Sequence, residues 1–185
     1  STQAKTLFPY TTLFRSPAWM ISSMTPETDT FAARLQSARM GQHMTKTDLY
    51  VKAGLCRGPA RSVNTRIIAA LEAGTVPRLD AVHKLALALG VHPVWLAFGE
   101  DPKLPGWMAD ASLEGLALRL RTARELAQFS QGELATQIGL HQPAISLCEL
   151  GRKYLFLDQL LRCAEVLNVN PAWLAFSVGP MKDVM

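Results

Sequence analysis

The chain has 185 residues, of which 49% are apolar and 18% are charged, and it carries a net charge of +4. This composition supports a packed core and excludes a chain that is disordered throughout. No apolar run approaches the roughly 18 residues of a membrane-spanning helix, so we expect no membrane partner. The cysteine count is odd and no CxxC spacing occurs, which argues against disulfides and zinc and suits a reducing cytosol.

The first segment differs in character from the rest of the chain. Residues 6–16 read TLFPYTTLFRS, which looks like the in-frame translation of a short-read sequencing adapter. Pro9 and Pro17 interrupt the stretch and no long apolar region follows, so it does not fit a targeting peptide. We interpret residues 1–28 as an artefactual or disordered segment and assign them no function.

An internal repeat organises the remaining residues. The segment VHPVWLAF at 91–98 recurs as VNPAWLAF at 169–176, and earlier matches such as Arg34 with Arg119 follow at an offset of 85. So many ordered matches indicate a duplication. We predict a first domain over 29–100 with a basic insertion near 56–63, a linker over 101–111, a second domain over 112–179 and a tail over 180–185.

Each copy of the repeat is predicted to form five helices. In the second copy, apolar residues recur at spacings of three and four from Leu113 to Ala123, as in an amphipathic helix. Ser130, with Glu133 three residues later, forms a capping box for a short helix that Gly139 ends. No stretch alternates with a period of two, so we predict no sheet. The other helices are predicted to start at Pro143, to follow the leucines of 157–167 and to start at Pro171.

The segment SQGELATQIGLHQPAISLCELGRK, residues 130–153, resembles the helix-turn-helix of the phage-repressor and Cro-type (lambda-repressor-like) family. The first copy follows the pattern more loosely, as TKTDLYVKAGL, an insertion and RIIAALEAG. The resemblance implies an all-α fold of two tandem five-helix lambda-repressor-like helix-turn-helix domains. It also implies a sequence-specific transcriptional regulator that binds double-stranded DNA, a repressor of phage or bacterial origin that is cytoplasmic and associated with the nucleoid.

The resemblance assigns roles to residues of the second copy. A helix about 10 Å wide fits the major groove, ~12 Å wide, and presents its N-terminal residues to base edges. Gln142 is then expected to contact a base, since a glutamine amide pairs bidentately with adenine. Pro143 and Leu147 depart from the family, which usually has polar residues there; each can touch only a thymine methyl. The candidate DNA-binding residues of this copy are Gln131, Gln142, Pro143, Ser146, Leu147, Arg152 and Lys153.

The first copy carries most of the positive charge. Residues 45–84 contain seven basic and three acidic residues, a net +4, whereas residues 105–185 contain seven basic and eight acidic ones, a net −1. Arg66 is expected at the start of the recognition helix, where its guanidinium can bind guanine O6 and N7. The candidate DNA-binding residues of this copy are Lys46, Arg57, Arg61, Thr65 and Arg66.

Two arginines are interpreted as structural. In the family, an arginine late in the first helix pairs with a glutamate late in the third, which implies the pairs Arg39–Glu72 and Arg124–Glu149. The histidines show no ligand spacing, so we expect no metal and no cofactor. We find no nucleophile with a base, no glycine loop for phosphate and no paired carboxylates, and therefore expect no enzyme.

Two alternatives remain open at this point. An antitoxin-like or scaffold protein-interaction module can keep the helix-turn-helix fold while reading bases weakly, and Pro143 with Leu147 favours that interpretation. The assembly is also open, because repressors of this type bind as two-fold dimers. The charge split between the copies slightly favours a homodimer, and a pseudo-dimer within one chain is the alternative.

Overall fold

The computed structural model describes residues 29–55, 65–100 and 113–182. Within these ranges the chain forms ten α-helices and no strand, apart from one isolated bridge between Arg78 and Phe156. The prediction of an all-α fold is therefore confirmed for this part of the chain. The predicted segment 1–28, the insertion near 56–63 with Arg57 and Arg61, and the linker 101–111 lie outside the described residues.

The helices come in two series of five, which we call the first half and the second half. The series agree in order and almost in length, with 11, 7, 7, 11 and 6 residues in the first half and 11, 7, 8, 11 and 6 in the second. The first half contains α1 (Phe31–Gly41), α2 (Lys46–Lys52), α3 (Arg66–Glu72), α4 (Leu79–Leu89) and α5 (Pro93–Phe98). The second half contains α6 (Leu116–Leu126), α7 (Gln131–Gln137), α8 (Gln142–Glu149), α9 (Leu157–Leu167) and α10 (Pro171–Phe176).

Local signals explain where the short helices begin and end. The Ser130 side chain accepts a hydrogen bond from the Glu133 N–H while the Glu133 carboxylate accepts one from the Ser130 N–H, so the predicted capping box is confirmed. Thr45 and Asp48 form the same box at α2. Gly139, at φ +71°, ends α7 in the left-handed region that glycine enters without strain. Leu113 lies before α6, although its spacing suggested the first helical turn; it packs half-buried on the core.

Two buried arginines tie the first helix of each half to the fifth. Arg34 donates from Nε to the Leu96 carbonyl at 3.1 Å and from Nη2 to that of Ala97 at 3.0 Å. Arg119 repeats these contacts at the equivalent carbonyls, those of Leu174 at 3.0 Å and Ala175 at 2.8 Å. Both arginines donate hydrogen bonds to carbonyls in the last turn of a helix, which have no partner within the helix. This shared structural role explains why Arg34 and Arg119 match in the repeat.

The two halves contact each other through a reciprocal pair of backbone hydrogen bonds. The Leu79 N–H donates to the Leu155 carbonyl at 3.1 Å, and the Leu157 N–H donates to the Pro77 carbonyl at 2.9 Å. An offset of 78 residues converts each bond into the other, as a local two-fold relation requires.

Aromatic side chains extend this contact between the halves. The buried Phe176 ring on α10 lies 6.2 Å from the ring of Phe98 on α5 and 6.4 Å from that of His83 on α4. Phe98 and Phe176 are themselves equivalent at the offset of 78. Buried side chains of the two halves accordingly form one continuous apolar core.

Candidate nucleic-acid interface

The helices α7 and α8 pack closely and are joined by the turn around Gly139. Ile145 and Cys148 on α8 are buried toward the core. The opposite side of α8 exposes Gln142, Pro143 and Leu147, and Ser146 lies half-buried between the two sides. The N-terminal turn of α8 thus presents to solvent the side chains that the sequence assigns to base contacts.

A chain of hydrogen bonds connects the buried side of this unit to its surface. Arg124 Nε lies 2.6 Å from Glu149 Oε1, and Arg124 Nη2 lies 3.0 Å from Glu149 Oε2. Gln131 Nε2 donates to Glu149 Oε2 at 2.8 Å, and Gln142 Nε2 donates to Gln131 Oε1 at 2.8 Å. The amide of Gln142 is therefore held in position, while its oxygen and second N–H are the groups with which an amide pairs with adenine.

The hydrogen bonds of this network favour the ionised forms of Glu149 and Arg124. Burial by itself would raise the pKa of the Glu149 carboxyl, but hydrogen bonds from Arg124 and Gln131 outweigh it and hold the pKa below its ordinary value. The hydrogen bond to Glu149 also raises the pKa of Arg124, so both groups are ionised at neutral pH. An ion pair with little exposed surface of this kind fixes helix position, because removing one partner leaves a buried charge.

The first half contains the same ion pair but a different extension. Arg39 Nε lies 2.6 Å from Glu72 Oε1, and Nη2 lies 3.3 Å from Oε2. Lys46, which is equivalent to Gln131, places Nζ 3.3 Å from Glu72 Oε2 and leaves 43% of its side chain exposed. Thr65, which is equivalent to Gln142, makes no side-chain cap at the start of α3, where Arg66 is exposed. This half therefore offers cations where the second offers amides.

Two further candidates follow α8. Arg152 and Lys153 are exposed directly after the helix, on the loop that leads to α9. They place two positive charges immediately after the C-terminal end of α8. Arg57 and Arg61, the remaining candidates of the first copy, fall outside the described residues.

Sequence reasoning treated Gln131 and Gln142 as two separate DNA contacts and missed the bond between them. The two residues begin α7 and α8, and only the packing of these helices brings the amides within 2.8 Å of each other. The sequence shows only that the two glutamines begin consecutive helices, 11 residues apart.

The described cysteines do not form a reactive site. Burial raises the pKa of Cys148 to about 11 and that of Cys163 to about 12, so both thiols are protonated at neutral pH. Within the described ranges, no group of three or more histidine, cysteine, aspartate or glutamate side chains is arranged to hold a metal. No helix there is long and apolar enough to cross a membrane.

Comparison with known proteins matches one region of the chain. A search of solved structures finds no match to the chain. Residues 116–175 match a family described as a helix-turn-helix domain. The matched range begins with α6 and ends within α10, so it includes the ion pair, both glutamines and the exposed N-terminal turn of α8. The second half of this chain is therefore similar to a helix-turn-helix domain over these residues.

Proposed function

We propose that the protein is a sequence-specific DNA-binding transcriptional regulator that acts as a repressor of phage or bacterial origin. The observation that carries the proposal is the exposed start of α8, where the amide of Gln142 is held by Gln131 within a helix-turn-helix domain. Exposed Arg152 and Lys153 supply positive charge at the other end of the helix. Amides that face bases, together with cations that face phosphates, are the groups with which such domains bind DNA.

We further propose that the first half is a second domain of the same lambda-repressor-like kind. Its support is the repetition of individual contacts: Arg34 and Arg119 bind equivalent carbonyls, and Arg39 and Arg124 bind equivalent glutamates. The reciprocal backbone bonds between the halves favour the pseudo-dimer within one chain. This arrangement gives no support to the homodimer that the charge split between the copies favours.

The two recognition helices would then enter successive major grooves about 34 Å apart, as in two-fold repressor dimers. They carry unlike residues, Arg66 in α3 and Gln142 with Leu147 in α8. The protein would therefore bind an asymmetric site whose two half-sites differ in sequence. Lys46 and Lys153 would bind phosphates and carry no sequence information.

The proposal is tested by selecting bound sequences from a random duplex pool with the full chain. We expect a preferred sequence, a steep dependence of affinity on salt, and one chain per duplex in sedimentation, with two unlike half-sites protected in footprinting. Two chains on a palindromic site would replace the pseudo-dimer by the homodimer. Weak binding without sequence preference or salt dependence would replace regulation by the interaction module.

Two substitutions then separate base contacts from phosphate contacts. Arg66→Ala should cost about 1–3 kcal/mol at one base pair of one half-site and relax selectivity there. Lys153→Ala should weaken binding to all duplexes alike and lower the salt slope by about one unit. Arg121→Ala is the control, because this exposed arginine on α6 pairs with Glu125. An equal loss on every duplex for Arg66→Ala would remove its role in base reading.

A further inference from the structure

The exposed side of α8 carries an apolar stripe. Pro143, Leu147 and Leu150 follow at spacings of four and three, which places them on one side of a helix. Leu147 is 39% exposed and Leu150 is 62% exposed, whereas Ile145 and Cys148 fill the core on the other side. An apolar surface on the exposed side of α8 suits an occupant that has apolar groups of its own.

The surroundings of the stripe indicate a nucleic-acid occupant. The polar amide of Gln142 lies at its N-terminal end, next to Pro143. The exposed cations Arg152 and Lys153 lie beyond its C-terminal end. Positive charge at the margin suits a polyanion, and it does not suit a purely apolar groove on a protein partner.

The major groove offers one apolar group on its base edges, the C5-methyl of thymine. Neither Pro143 nor Leu147 can donate a hydrogen bond, so these residues can discriminate bases only through that group. We propose that Pro143 and Leu147 bind C5-methyl groups of pyrimidines, so that the half-site of α8 is read by its methyl groups. The same position carries the methyl of 5-methylcytosine, which this surface would accept equally.

The inference rests on the proposed function and is confined to the second half. The residues equivalent to Pro143 and Leu147 are Arg66 and Ala70 on α3, and these offer a cation and a single methyl. Leu150 is excluded from the contact, because it caps the C-terminal end of α8 and base edges are reached from the N-terminal end.

The first test removes methyl groups from the selected duplex one at a time. Replacing thymine by deoxyuridine in the α8 half-site deletes only the C5-methyl, and we expect a loss of about fourfold in affinity per contacted methyl. The same replacement in the α3 half-site should change affinity less, because Arg66 is a cation there and Ala70 offers only a single methyl group. A cytosine in the α8 half-site replaced by 5-methylcytosine at a contacted position should gain affinity by a similar factor.

The second test assigns the methyl contact to its residue. Leu147→Ala should remove the difference between thymine and deoxyuridine at one position of the α8 half-site, because the apolar partner of that methyl is gone. The difference at the methyl that Pro143 binds should remain. Leu150→Ala removes an equally apolar side chain from the same stripe and should retain the full difference. Leu147 and Leu150 are both exposed, so both variants should fold. Thermal unfolding checks this.

The outcomes separate this inference from the proposed function. Sequence-specific binding that is indifferent to deoxyuridine overturns methyl reading and leaves the regulator intact. A deoxyuridine effect that Leu147→Ala leaves unchanged at every position of the α8 half-site also overturns it, because none of the methyl contacts then belongs to Leu147. Loss of all sequence preference in the wild-type chain overturns the proposed function together with the inference.

Discussion

The two halves hold their third helices with the same arginine–glutamate pair but extend the pair to the surface differently. In the first half, Glu72 binds Arg39 on its buried side and the ammonium of Lys46 on its exposed side. In the second half, Gln131 takes the place of the lysine. It donates a hydrogen bond to Glu149 and accepts one from Gln142. The comparison teaches that the same buried ion pair can hold either a partly exposed cation or an ordered amide at the surface.

Removal of the shared glutamate should have the largest effect. Glu149→Ala strands the buried Arg124 guanidinium and also releases Gln131, so we expect a loss of about 3–5 kcal/mol in unfolding free energy. Glu72→Ala should cost less, because its second partner is the half-exposed Lys46, which water can solvate. Denaturant unfolding measures both. Equal losses of unfolding free energy in the two variants would show that the hydrogen bond from Gln131 adds nothing to the ion pair.

The contact between the halves is tested through the equivalent pair Phe98 and Phe176. Phe176 is fully buried and meets both Phe98 and His83, so Phe176→Ala should cost about 3 kcal/mol in unfolding free energy. Phe98→Ala should cost less, because Phe98 is only half-buried. A change of Phe98 that destabilised the chain as much as a change of Phe176 would contradict this difference.

Acid should weaken the second half through Glu149. Its carboxyl has a lower pKa in the folded chain than in the unfolded chain, so its contribution is complete above the unfolded pKa of about 4.3. The contribution is then lost as the pH falls through the lower, folded pKa. Unfolding free energies of the wild type and Glu149→Gln, compared from pH 7 downward, should converge in acid. Glu165→Gln is the control, since it removes an exposed carboxylate from α9 of the same half. A constant difference between the wild type and Glu149→Gln would refute the assignment.

Exchange of the equivalent residues Lys46 and Gln131 should give the smallest effect. Lys46→Gln should lower the salt slope of DNA binding by about one unit, and Gln131→Lys should raise it by about one unit, because each lysine at a phosphate releases one counterion. The lysine should fit beside Glu149, since its equivalent already pairs with Glu72. Lys46→Arg keeps the charge and should leave the slope unchanged. Slopes that do not move in opposite directions would show that this position does not meet phosphate.

Helices and their ends were predictable because their causes are local. The Ser130 capping box lies within one turn, Gly139 enters a positive φ without strain, and Pro171 starts its helix as a residue that needs no N–H partner. The repeated arginines and glutamates were also visible, since identical residues recur at fixed offsets in the two copies.

Long-range contacts were decided only when the chain packed. Every residue offers the same backbone N–H and carbonyl, so nothing in the sequence marked Leu79 for Leu155, and the charge split suggested a homodimer instead. The bond between Gln131 and Gln142 likewise depends on the packing of α7 against α8. Local patterns specify elements because their partners lie within a few residues. Pairing of the halves joins groups that are 76 and 80 residues apart, and it therefore requires the assembled core.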